Sequence, residues 1–436
     1  MGNYLPSTSE ERRAMLSEIG CSSIDDLYAN VPADVRIDAL DIPGGLSEMQ
    51  LTRKMTSIAR KNTVFDSIFR GAGAYHRFIP ALVKTVASKE RFVTAYTPYQ
   101  AEISQGVLQS IFEYQSMVCE LTGMDVSNAS LYDGAEAAAE AIFMCVGKKR
   151  NKVVISETVH PHTIETVKTY AHSRSVGVEV VPACNGVTDL EAFKAALDET
   201  CACTIVQQPN FFGNLEDAAT LVAASHDAKA KSILSVEPIS LGVLASPGEL
   251  GADICVAEGQ SLGLPLSFGG PYLGIIACTE NMMRKLPGRI VGETHDDDGN
   301  RAFVLTLQAR EQHIRREKAS SNVCSNEALC ALTAGAYMAA MGPKGIAEAA
   351  KQSYTNAHYL ASRLCEIDGI DLAFDTPFFN EFLTTYSGDF EKLERTLADK
   401  GILCGLQVEG GILWCATEMN SKDDIDALVS AVREVA

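Results

Sequence analysis

The chain has 436 residues and 46% hydrophobic content, enough to bury a large core and to divide into a main domain and a smaller one. Its 56 acidic residues against 37 basic ones give a formal charge of −19, which leaves no broad basic field for a nucleic-acid backbone. No apolar run reaches the roughly 18 to 20 residues of a membrane span, and the start MGNYLPSTSEERR lacks a charged-then-apolar signal pattern; a cytoplasmic location is expected.

Residues 1–90 are helical in pattern and end in GAGAYHRFIP, a Gly-rich and then Pro-broken stretch. This predicts an N-terminal helical arm. From Glu102, a 3.6-residue period puts Ile103, Val107, Ile111, Tyr114, Val118 and Leu121 on one face, and Gly123 stops the helix. Short apolar runs follow: KVVIS (152–156), VEVV (178–181), CTIVQQ (203–208), SILSV (232–236), ADICVAE (252–258) and LGIIACT (273–279). Helical patterns such as DLEAFKAALDE (189–199) lie between most of them. That alternation predicts an α/β fold with a mostly parallel sheet covered on both faces, forming a large domain over 91–325.

The acidic run THDDDGN (294–300) offers oxygen ligands, but it lacks the spacing and terminal Glu of an EF-hand loop, so a solvated turn is expected. A long helical pattern runs from Asn326 to Leu364, followed by the strand-like runs FLTTY, ILCGLQV and GILWCAT. Together they predict a small C-terminal α/β domain, with its connecting helix, over 326–436. The thirteen cysteines are scattered, and Cys201 and Cys203 have no second pair at zinc spacing. They read as buried free thiols, which behave as small hydrophobes.

Ligands of parallel-sheet folds sit at strand ends, and three segments there carry candidate chemistry. Ser130 to Glu136 form an Asp-Gly turn that opens the helix AAAEAIFMCV, where free N–H groups and the helix dipole suit a phosphate. Any Asp-Gly turn before a helix looks similar. Glu237, after the SILSV run, could hold a pyridinium nitrogen protonated, or could be a solvated strand-end acid. Residues 251–271 have the shape of a strand and loop that would carry a cofactor-binding lysine, yet they contain none. Lys231, Lys285 and Lys318 lie elsewhere and read more simply as surface or salt-bridged lysines.

The segments TAYTPYQAEISQG (94–106), LTGMDVSNASLYDGAEAAAEA (121–141), PNFFG (209–213), VAEGQSLGLPLSFGGPYLG (256–274) and LQAREQHIRREKASSNVCSNEAL (307–329) resemble the glycine cleavage system P-protein, in its subunit 1 (alpha) form. The likeness runs over nearly the whole chain. It implies a fold-type I pyridoxal-phosphate (PLP) transferase architecture and a glycine dehydrogenase (decarboxylating) built from two related subunits. It also implies that glycine is decarboxylated on PLP in a lysine-bearing subunit 2 (beta), and that the aminomethyl group passes to the lipoyl arm of the H-protein. Counting back from Pro265 and Pro271 puts Gln260 in the lysine's place, so this chain alone is expected to be inactive. Glu237 falls where the partner has the pyridine-binding Asp. Asp133, Gly134 and Glu136 fall on the phosphate turn, with Glu136 where a Thr is more usual; a carboxylate there would repel phosphate.

The resemblance further implies that this chain supplies groups to the partner's site from across an interface, in an αβ or α2β2 assembly. Tyr96, Tyr99 and Gln100 are candidates for contacts on the substrate or cofactor side. Arg310, His313, Arg315, Arg316, Lys318 and Ser320 are candidates for reaching the phosphate, the glycine carboxylate or the H-protein, because arginine pairs with such anions in bidentate fashion. The competing readings are a charged helix face for QHIRREK and plain packing for the tyrosines. At the level of the whole chain, the alternatives are a self-sufficient PLP lyase or aminotransferase using Lys285 or Lys318, and a purely structural scaffold.

Overall fold

A computed structural model describes residues 7–37 and 39–435, and the chain divides between Val64 and Phe65 into two compact units. In the first, helices Ser9–Glu18 and Glu48–Ala59 each open with a reciprocal capping box, Thr8 with Glu11 and Ser47 with Gln50. These caps satisfy backbone donors that the first turn leaves without partners. No residue of either helix is buried.

The second unit is built on a seven-stranded sheet: β1 (Val126–Ser127), β2 (Lys152–Ser156), β3 (Gly177–Val181), β4 (Cys201–Gln208), β5 (Lys231–Val236), β6 (Ile254–Glu258) and β7 (Gly274–Cys278). Their spatial order is β1-β7-β6-β5-β4-β2-β3. β3, β2, β4, β5 and β6 pair in parallel, whereas β7 runs antiparallel to β6 and β1 antiparallel to β7. Each apolar run named from the sequence is one of these strands.

Period-2 alternation divides the strand side chains between two cores. Val153, Ile155, Ile205, Ile233, Val256 and Ile276 pack beneath helix α2 (Gly134–Cys145). Val154, Val206, Leu234, Cys255 and Ile275 face the other way, toward α1 (Ala101–Thr122) and α3 (Ala328–Leu364). Burying both faces explains why the strands read as continuous apolar runs rather than alternating ones.

α1 ends as expected at Gly123, whose left-handed φ of 68° a side chain would strain. Ile111, Tyr114 and Val118 are buried along the stripe, but Ile103 is 81% exposed. Ala101 of the first turn is partly buried against Leu108 and Phe303, and Ser104, at φ −121° and ψ 16°, breaks the helical repeat just after Ile103. The THDDDGN run is the turn of an antiparallel hairpin, Ile290–His295 with Arg301–Thr306, in which Asp296 accepts backbone N–H groups of Asp298 and Asn300 at 3.0 and 2.7 Å. Among the described residues no group of three or more His, Cys, Asp or Glu could hold a metal. The thirteen cysteines are free, and Cys201, Cys203, Cys255 and Cys278 are buried in the sheet.

The C-terminal core gathers Leu360, Trp414, Ile425 and Leu428 around Phe69. Ser67–Ile68 pairs in parallel with Ile402–Leu403. Residues 65–90, read with the arm from sequence, are therefore built into this second unit, because Phe69 has its apolar partners there. Among the described residues no helix is long and apolar enough to cross a membrane.

Candidate functional site

A cavity of about 600 Å³ opens at the carboxyl ends of β4, β5 and β6, lined among others by Tyr132, Gly134, His160, Glu237, Glu258 and Tyr272. Ligands of such folds bind here. Of the vestigial-pocket candidates named from the sequence, Asp133, Gly134 and Glu237 line this cavity, and Glu136 and Gln260 are not among its lining residues. No lysine lines it among the described residues.

The Asp-Gly turn does form the N-terminus of α2. Asp133 caps it, accepting the N–H of Glu136 at 2.8 Å. Gly134 donates its N–H to the Glu258 carboxylate at 3.0 Å, and Glu258 also accepts the N–H of Gln260 at 2.9 Å and of Leu273 at 3.1 Å. The helix end thus has an acceptor already, supplied by the chain itself. A Cβ on Gly134 would sit 2.8 Å from the Glu258 nitrogen, so only glycine allows this approach. Burial pushes the Glu258 carboxyl up to about 7 against the three backbone donors. Glu136, buried one turn along and facing Glu140, is pushed up to about 8 by burial and then by that like charge.

Glu237 is committed elsewhere. One oxygen meets the Arg77 guanidinium at 3.3 Å and the other accepts the N–H of Ser240 at 2.7 Å. Arg77 also donates to Glu418 and Ser353, each at 2.8 Å. Burial works against the Arg77 charge, but Glu237 and Glu418 outweigh it and hold the guanidinium protonated above its ordinary value.

Gln260 is 1% exposed. Its amide NH2 donates to the carbonyls of Tyr75 (3.0 Å) and Leu264 (2.8 Å), while its oxygen accepts the Tyr75 N–H at 2.7 Å. Every strong position of the amide is used. It latches the Gly-rich segment 71–75, which Glu381 holds from the other side by accepting from Ala72 N–H (2.6 Å) and the Tyr75 hydroxyl (2.7 Å). From the sequence this segment is expected to be the Gly-rich end of the helical arm. It is a wall of the cavity, contributing Ala72, Gly73, Ala74 and Tyr75.

The remaining candidates lie outside this cavity. Tyr96 is 86% exposed and Tyr99 52%, and Gln100 is exposed at the start of α1. The Tyr99 and His313 rings meet edge to face at 6.4 Å, so the segments 94–106 and 307–329 do converge. QHIRREK is not a continuous helix: Gln312–Arg315 forms one turn, and Arg316 at φ 53° breaks it. Without a helical repeat, the Glu-Arg side-chain pairing expected on that face does not form. His313, Arg315, Arg316, Lys318 and Ser320 are exposed. Arg310 instead turns inward and donates to the Leu286 carbonyl, and burial lowers its pKa. Lys285 donates to the Met144 carbonyl at 2.9 Å and Lys231 pairs with Asp253 at 2.6 Å. Sequence reasoning missed Arg289, which donates to the Tyr99 hydroxyl at 2.8 Å. The signal was a charged residue inside the apolar stretch LPGRIV, which demands buried partners.

The glycine cleavage system P-protein family matches residues 2–432. A relative from Moorella thermoacetica, named probable glycine dehydrogenase (decarboxylating) subunit 1, is 47% identical and covers 99% of each chain. One of the same name from Bacillus subtilis is 45% identical over 98% of this chain and 97% of its own. A crystal structure of glycine decarboxylase (P-protein) of the glycine cleavage system, in inhibitor-bound form, superposes with a TM-score of 0.95 at 41% identity over the full length of both chains. A sphingosine-1-phosphate lyase from Burkholderia pseudomallei, at 14% identity, a TM-score of 0.68 and coverage of 93% and 94%, shares the fold alone. The fold, the strand-end cavity and these full-length likenesses together show that the chain belongs to the glycine cleavage system P-protein family.

Proposed function

We propose that this chain is the non-lysine subunit of a two-subunit glycine decarboxylase, serving an active site whose PLP and lysine belong to a similar partner chain. Its family membership and the name "subunit 1" carried by its relatives support a shared enzyme. The observation that carries the reading is the state of its own cavity, into which PLP does not fit. The helix N-terminus that would hold a phosphate already holds Glu258. A phosphate dianion would meet that carboxylate beside Asp133 and would have to displace it. Glu237 is tied to Arg77 rather than free for a ring nitrogen. Gln260, in the lysine's place by the resemblance, offers an amide whose nitrogen is neither basic nor free.

What the chain contributes, on this reading, is its exposed face. Tyr96, Tyr99 and Gln100 present aromatic and amide groups toward the partner's site. His313, Arg315, Arg316, Lys318 and Ser320 form a cationic rim suited to the glycine carboxylate, a phosphate or an acidic surface of the H-protein. Arg310 supports the base of that rim from inside. In the assembled enzyme, which would work in the cytoplasm, glycine loses CO2 on the partner's cofactor and the aminomethyl group passes to the lipoyl arm.

The purified chain should show no visible absorbance of bound pyridoxal and no exchange of CO2 with the glycine carboxylate. Adding the lysine-bearing subunit should restore exchange. Borohydride reduction followed by peptide mapping supplies the opposing result: a pyridoxyl-labelled Lys285 or Lys318 in this chain would establish a self-sufficient enzyme instead. A pure scaffold would retain both assembly and turnover after replacement of Tyr96, His313 or Arg315.

A further inference from the structure

Arg289 is 4% exposed and stands at the foot of the hairpin that begins at Ile290. Its guanidinium reaches residues of both the 94–106 and the 307–329 segments. One Nη donates to the Tyr99 hydroxyl at 2.8 Å and to the Cys324 Sγ at 3.2 Å; the other donates to the Ser325 Oγ at 3.0 Å. The guanidinium carbon also lies 4.9 Å from the centre of the Tyr99 ring. The Ser325 hydroxyl is in turn hydrogen-bonded to that of Thr97. Glu311 lies 3.9 Å from Nε and 3.6 Å from the His313 ring nitrogen. A single buried cation therefore links Tyr99 with the 311–325 segment.

The same residue is braced toward the cavity. Its carbonyl accepts the N–H of Ala129 at 2.8 Å. Asn128 donates to the carbonyls of Ser130 (3.2 Å) and Pro287 (3.0 Å), and Asn326 donates to Ser130 at 2.7 Å. This ties Arg289 to the backbone that leads into the Asp-Gly turn. Arginine suits the place because its planar fork presents several donors in fixed directions, whereas lysine offers one compact head. The partners nearest the fork are neutral oxygens and a sulfur. The arrangement spends a buried charge on fixing position more than on pairing charge.

We infer that Arg289 is a positioning residue: it holds Tyr99, and through Glu311 and Ser325 the segment bearing His313, in the pose that this face presents to the partner's active site. The inference rests on the helper-subunit reading above. Arg289 itself, being buried, meets no reactant. Its loss should free the Tyr99 ring and the 311–325 segment to move separately, and small displacements of positioning groups weigh heavily on turnover.

The test uses the assembled two-subunit enzyme and the isolated chain side by side. In the assembly, R289M should lower kcat by roughly tenfold to a hundredfold, with little change in the concentration of this chain needed to saturate its partner. R289K should recover part of the loss. Y99F combined with R289M should be no worse than the more damaging single change, since both break the same contact. In the isolated chain, burial opposes ionisation of the Cys324 thiol, yet Arg289 holds it below its ordinary value. The pH profile of Cys324 alkylation, read by peptide mapping, should therefore move upward in R289M and less so in R289K. An unmoved profile would overturn the clamp. So would unchanged kcat, or a loss of kcat that only tracks weakened assembly. A wild-type chain that fails to stimulate the lysine-bearing subunit would overturn the helper reading, and with it the catalytic consequence of Arg289, even if the alkylation profile shifts.

Discussion

Gln260 shows how much a single residue carries and how little of its role the sequence displays. That residues 251–271 hold no lysine was legible in the sequence; that Gln260 takes a lysine's place is what the family resemblance implies. That the amide latches Tyr75 and Leu264 was not legible, because its partners are backbone groups, one of them 185 positions away in sequence. Q260K should therefore restore no cofactor binding, since Glu258 still fills the helix end and Glu237 remains paired. It should also cost stability. A lysine removes the acceptor for the buried Tyr75 N–H, a loss of about 1–3 kcal/mol. Urea unfolding and a visible spectrum with added PLP check both parts; a yellow, borohydride-reducible Q260K chain would contradict the account of the cavity. Glu136 gives a second residue-scale outcome. Its folded value of about 8 exceeds the ordinary 4.5, so the fold binds its proton more tightly than the unfolded chain does. That stabilisation is complete below about pH 4.5 and is lost as pH rises through about 8, at up to about 1.4 kcal/mol per pH unit. Glu258 and Glu381, both raised to about 7 by burial, act in the same direction. The urea midpoint should fall from about pH 5 to 8, and E136Q should make that fall shallower across the whole range. An E136Q midpoint that tracks wild type across this range would show that Glu136 is not held protonated.

At the scale of elements, the sheet and α1 were legible because both leave a periodic apolar record: the runs over 152–156 and 232–236 are β2 and most of β5. The hairpin over 290–306 and the broken turn at Arg316 were not. Their signatures are a register between two strands and one positive φ, and neither has a composition. The junction of α2 with β6 makes the point energetically. Helix dipole, Asp133 cap and Glu258 acceptor all depend on the backbone at Gly134 coming within contact of Glu258. G134A would drive its Cβ into the Glu258 backbone, at 2.8 Å from N and 2.9 Å from Cα, where no flexible side chain can give way. The expected loss is on the order of 1–3 kcal/mol, typical of overpacking. By contrast A135G, one residue on, should cost less than about 1 kcal/mol, the ordinary helix penalty for glycine. Equal losses for the two changes by thermal unfolding would mean that close approach at Gly134 is not what matters.

For the whole molecule, the exposed Ile103 at the start of α1 is the feature that points beyond a single chain. The periodic stripe predicted that Ile103 would be buried with Ile111 and Tyr114, yet it is 81% exposed, as Tyr96 is 86% exposed seven positions earlier. The break at Ser104 separates Ile103 from the buried stripe, and an exposed apolar side chain at such a place can serve as an interface anchor, the kind of residue that dominates interface energies. I103D should therefore leave the isolated chain as stable as wild type, within about 0.5 kcal/mol, as expected for an exposed site. It should weaken assembly with the lysine-bearing subunit by tenfold or more, because a carboxylate left in an apolar contact loses both burial and solvation. Sedimentation of the mixed subunits, with urea unfolding of the chain alone, separates the two effects. If I103D destabilises the isolated chain, Ile103 serves this chain's own core. If assembly and turnover both match wild type, the first turn of α1 is free surface and the interface lies on another face.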